Sequence, residues 1–146
     1  MAVATIVYPG TWYTVTSPAG LVCQYFDPAP ITVPSDPTTL KTAVMAKSVT
    51  TTYTDAVAAA TNPANWNVTK QGSGSVGGVT VTCVAAVSTN TASGLAVGTG
   101  ATSCLANVGA AGTVVIATTG QPGNATYESN AGVVVLMAQS SKFNPS

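Results

Sequence analysis

The side chains that could carry acid–base or nucleophilic chemistry are few in this 146-residue chain. They are four lysines (Lys41, Lys47, Lys70 and Lys142) and four acids (Asp27, Asp36, Asp55 and Glu128), with no His and no Arg. Most enzymatic mechanisms need a titratable group beside another that tunes its pKa. A hydrolase triad fails for want of His. Lys47 and Ser48 are adjacent, but neighbours on a strand point to opposite faces, so they make a poor dyad. The four acids are scattered among Pro, Thr and Ser in contexts that read as turns or caps. Two of them converging across a cleft for glycoside hydrolysis is therefore not expected.

Ligand motifs are equally sparse. Gly72-Ser73-Gly74 and Gly98-Thr99-Gly100 lack the strand–helix setting of a phosphate loop. The aspartates lack calcium-loop spacing. The three cysteines, Cys23, Cys83 and Cys104, form no CxxC and have no His to complete a zinc site. We therefore expect no catalytic residue, no metal and no cofactor. Each cysteine can be read as a small buried hydrophobe. The alternative is a Cys83–Cys104 disulfide, closing a loop of ~20 residues for roughly 3 kcal/mol. Cys23 would then be unpaired or bridge to a neighbouring subunit. Trp12, Tyr13, Tyr25, Phe26 and Trp66 could form a sugar-stacking platform, although core and interface packing is the plainer reading. Asn67-Val-Thr69 and Asn124-Ala-Thr126 match a glycosylation pattern that chance supplies readily in so Thr-rich a chain.

Composition explains this poverty. Charged residues are 5% of the chain, against ~25% on average, while hydrophobic residues are an ordinary 46%. The chain should fold, with Thr, Ser, Asn and Gly supplying its polar surface. Net charge is zero, which removes the repulsion that keeps copies apart. Four dispersed lysines make no basic patch, so nucleic acid and anionic membrane surfaces are not expected partners. No apolar run reaches the ~18–20 residues of a membrane span. The start, Met1–Gly10, lacks a basic n-region and reads poorly as a signal peptide.

The elements that must position these groups read as β. The strands expected are Ala2–Tyr8, Thr11–Ser17, Leu21–Phe26, Trp66–Lys70, Val79–Val87, Leu95–Val97, Thr102–Val108, Thr113–Thr118 and Gly132–Ala138, the last as an apolar strand buried on both faces. Thr11–Ser17 and Leu21–Phe26 form a hairpin about a Ser17-Pro18-Ala19-Gly20 turn. Ala125–Glu128 is expected to pair briefly. Residues 27–37 hold four prolines and read as an extended connection; residues 71–78 read as a flexible Gly/Ser loop. In 38–61 helix and strand signals conflict. The expected assignment is a short helix over Thr39–Lys47, a strand over Ser48–Tyr53 and a helical turn over Asp55–Ala60.

The expected fold is thus one mainly β domain over 1–146: an antiparallel β-sandwich or barrel with an extended N-terminal segment (1–10), a Pro-rich arm and at most one or two short helices. The expected role is structural rather than enzymatic. A bacteriophage or other virion subunit, such as a capsid decoration or stabilising protein or another coat or tail component, fits a chain suited to packing on copies of itself and on another capsid protein. Such a protein is made in the host cytoplasm without a leader and acts on no small-molecule substrate. Ile6, Val7, Tyr8, Trp12 and Tyr13 are its candidate interface. A surface-filament subunit or adhesin, extracellular or at the cell surface and packing on a filament protein, is the alternative. A carbohydrate-binding module comes third.

Overall fold

A computed structural model describes residues 3–16, 23–36 and 39–146. Its centre is one antiparallel sheet of seven strands. These are β2 (Tyr13–Thr16), β3 (Cys23–Asp27), β4 (Val44–Val49), β5 (Trp66–Val76), β6 (Val79–Ser88), β7 (Gly100–Asn107) and β8 (Thr113–Gly120), in the spatial order β2-β3-β4-β8-β7-β6-β5. A separate pair joins β1 (Ala4–Thr5) to β9 (Lys142–Phe143), tying the two ends of the chain together. The expectation of a mainly β, antiparallel chain holds. The large sheet is open, with β2 and β5 as its edges, and does not close into a barrel. Helix α2 (Ala125–Ser140) and helix α1 (Tyr53–Ala60) cover its two faces.

Each helix follows from local chemistry. The Thr52 hydroxyl accepts the Asp55 N–H at 3.2 Å and starts α1. Tyr53, Ala56, Val57 and Ala60 then fall on one stripe, and all four pack against Val84, Ala86 and Leu105. The Asn124 side chain accepts the Thr126 and Tyr127 N–H groups to start α2, with Glu128 in its first turn. Tyr127, Val134, Met137 and Ala138 form its buried stripe. The helix ends where the Ser141 hydroxyl donates to the Met137 carbonyl at 2.6 Å. The same oxygen accepts the Val7 N–H at 2.9 Å, so the N-terminal segment is fastened to the end of α2.

The core lies between α2 and the sheet. Phe26, Val44, Ala46, Cys104, Ala106, Val114 and Ile116 project from the strands and meet Val134, Met137 and Ala138. Ala4, Ile6 and Phe143 extend this core.

Several expectations are corrected here. Gly132–Ala138 is helical, not a buried strand, and Ala125–Glu128 belongs to the same helix. Its apolar residues are needed at intervals of three and four, because they cover a sheet already complete. At 16 residues α2 is not a short helix. The helix expected over Thr39–Lys47 gives way to β4: Val44 and Ala46 are buried while Met45 and Lys47 are half-buried. That period of two matches a strand hydrogen-bonded on both sides, to β3 and β8. Strand structure ends at Val49 rather than reaching Tyr53, which opens α1. Leu95–Val97 is not a strand; it lies in the bends and turns between β6 and β7. The segment 71–78 is not a loop: β5 runs to Val76 and only Gly77-Gly78, both at positive φ, make the turn into β6. The β2–β3 hairpin forms as expected, while its turn lies outside the described residues.

Candidate functional site

The feature with the shape of a site is a groove of about 660 Å³ on the α2 side of the sheet. It exists because α2 lies over β7 and β8, leaving the far side of the sheet uncovered. The floor is the β5–β6 hairpin, where Gly72 pairs with Cys83 and Gly74 with Val81. A Cβ placed on either glycine would meet nothing within 4 Å. Glycine at these alternate positions therefore keeps the floor low. The wall is the α2 face carrying Tyr127, Glu128, Ala131 and Val135.

Tyr127 is the best-positioned polar group of that wall. Its ring lies over the paired glycines Gly100 and Gly120, where a Cβ on either would come within 2.9 Å of it. Its hydroxyl is 2.9 Å from the Thr102 hydroxyl. This hydroxyl pair is buried and satisfied, and it serves to seat the helix. Glu128 accepts the Gly123 N–H at 3.0 Å, holding the turn before α2. Lys70 also borders the groove. Among the described residues no three of His, Cys, Asp or Glu come together in a way that would hold a metal ion. Among the described residues the groove thus offers an apolar floor with one carboxylate and one ammonium, and no nucleophile–base pair.

Cys83 and Cys104 sit directly opposite each other on β6 and β7 and are joined by a disulfide, with their Cα atoms 4.0 Å apart. Cys23 begins β3, its backbone opposite Lys47; its side chain lies outside the described residues. The candidate interface residues separate. Ile6 is buried in its own chain's core, Tyr8 packs on Phe26 with the rings tilted by 47° and their centroids 5.1 Å apart, and Trp12 is half-buried against the same core. Val7 and Tyr13 remain open, at 46% and 49% exposure. The aromatic residues are not gathered into one platform: Phe26 is in the α2-side core and Trp66 packs beside α1 on the other face. The Asn124 side chain is used to cap α2.

Sequence reasoning found only the start of β5, Trp66–Lys70, and missed its continuation to Val76. The whole is an edge strand of 11 residues, and residues 69–75 are all exposed. Its signal was the alternation Gly72-Ser73-Gly74-Ser75, which reads as loop composition but also makes a flat strand. No described helix is long and apolar enough to cross a membrane. No family model, no curated protein and no solved structure matches the chain.

Proposed function

We propose that this chain is a structural subunit of a virion, a capsid decoration or stabilising protein or another coat or tail component, acting through self-association and interface burial. The observation that carries the reading is the exposed edge strand β5, which holds one charged residue, Lys70, in 11. An unguarded edge is a hazard for a free monomer and an asset for a subunit that pairs. The scarcity of charge elsewhere supports the same reading, since burying hydroxyls at an interface costs less than burying ions. Exposed Val7, Tyr13, Val97 and Leu136 add apolar contact surface.

The Cys83–Cys104 disulfide supports a second setting, the cell exterior, where a filament subunit or adhesin would work. Both settings call on the same physical property, association of neutral strands. Sedimentation of the purified full chain over a range of concentrations tests it, with and without reductant. Concentration-dependent assembly is the expected result. A monomer at every concentration would overturn the reading. Co-sedimentation with virus particles, as against cell-surface filaments, separates the two settings.

A further inference from the structure

We propose that two copies of this chain pair through β5, antiparallel and in a single register centred on Ser73, so that two seven-stranded sheets become one. This rests on the self-association reading above and names the surface, the partner and the alignment.

The direction of the backbone groups gives the phase. In an antiparallel ladder the directly opposed residues alternate between hydrogen-bonded pairs, ~5.5 Å apart at Cα, and non-hydrogen-bonded pairs, ~4.5 Å apart. Cys83 and Cys104, at 4.0 Å, are of the second kind. The N–H and C=O of Cys83 therefore turn the other way, toward Gly72 on β5. Gly72 spends its own groups on that bond. Its neighbours Gln71 and Ser73, and then Ser75, turn theirs outward to the open edge. These three residues are exposed, and no hydrogen bond from elsewhere in the described chain reaches their backbone.

The register follows from where the strand is regular. A bulge between Val68 and Lys70 interrupts β5, and the turn begins at Gly77. The unbroken run is Lys70–Val76, and its midpoint is Ser73. A two-fold axis at Ser73 places Ser73 opposite its own copy and Gln71 opposite the partner's Ser75. All are outward-turned residues, which gives about six hydrogen bonds across the seam. Gly72 falls opposite the partner's Gly74, so nothing stands in the way on the groove side. The two grooves then face each other across a shared floor.

Charge agrees with this alignment. Lys70 is the only ionic side chain of the run, and it falls opposite the partner's Val76. The two copies of Lys70 stand six positions apart, ~20 Å at the rise of a strand. That is about twice the Debye length in physiological salt, so their repulsion is largely screened. Natural edges are commonly guarded by charge, proline or a bulge. Here the charge and the bulge stand at one end of the strand and leave Gln71–Val76 bare.

The test is the mass of the full-length chain in solution, measured by sedimentation across a dilution series. Ser73→Pro removes an outward N–H that the monomer does not use, a position where an edge strand accepts proline. Ser73→Lys sets two ammonium groups face to face on the axis. Each should raise the dissociation constant by about tenfold or more, with the thermal transition of the monomer lowered only as far as losing the Ser73–Thr82 hydroxyl contact requires. Gln71→Lys combined with Ser75→Lys should also dissociate the pair. Gln71→Glu combined with Ser75→Lys should keep it, because each acid then faces the partner's lysine. An assembly that Ser73→Pro, Ser73→Lys and the double-lysine variant all leave intact would overturn the β5 pairing while leaving self-association standing. A wild-type chain that is monomeric at every concentration would overturn both.

Discussion

The two faces of the central sheet are built differently. On one, α2 spans 16 residues and seats Val134, Met137 and Ala138 among Phe26, Val44, Cys104, Val114 and Ile116. On the other, α1 spans 8 residues, none of them fully buried, and its sheet partners are Val84, Ala86 and Leu105. A chain of hydroxyls does part of the work there. The Tyr53 and Thr82 hydroxyls are hydrogen-bonded, and Thr82 in turn is 2.8 Å from the Ser73 hydroxyl. The first face is held by apolar packing and the second by a small contact plus oriented polar groups. The first should therefore set global stability, and the second should loosen first, since few buried apolar contacts mean cheap local opening.

Substitutions test that ranking. The largest effect is expected from Phe26→Ala, which empties a fully buried site on the α2 face and should cost about 3–5 kcal/mol in denaturant unfolding. Reducing the Cys83–Cys104 disulfide, whose Sγ atoms lie among the same core, should cost roughly 3 kcal/mol for the loop it closes. In thermal melting of a chain this size that is a fall of about 6–12 °C. Leu105→Ala, on the α1 face, should cost about 2 kcal/mol, at the low end for a buried leucine, because the thin layer above it can settle into the space. A loss equal to that of Phe26→Ala would break the comparison. Gly120→Ala should cost about 1–3 kcal/mol by pushing against the Tyr127 ring. Near-ultraviolet dichroism would register the displaced tyrosine. Thr52→Ala should cost about 1 kcal/mol and show itself as faster hydrogen exchange confined to α1, a readout that sharpens the idea of a separately loosening face.

These differences also govern what could be read from the residues alone. The strands Val79–Val87, Thr102–Val108 and Thr113–Thr118, the first hairpin and the helical turn at Asp55–Ala60 were legible, because periodicity and turn chemistry agree there with the final packing. The α2 helix was not. Val133, Val134 and Val135 favour strand and Gly132 weakens a helix, and the stripe that decides the matter matters only once a sheet is present for it to cover. For β5 the obstacle was the reverse. An exposed edge has no buried face, so no apolar–polar alternation marks it, and its alternating Gly and Ser look like a linker. Its strand character comes from β6, which pairs with it from end to end. The candidate groove was illegible for a related reason: it is made by glycines, at 72 and 74, and by the strands over which α2 lies. The disulfide was easier, since the two cysteines lie on strands joined by one excursion.

That covalent link has a mechanical consequence. If the chain is pulled by its two ends, the stretch between Cys83 and Cys104 cannot be drawn out. About 20 intervening residues, ~70 Å of contour at full extension, stay locked inside a closed ring. Stretching single molecules before and after reduction would reveal that reserve as a longer final rupture length.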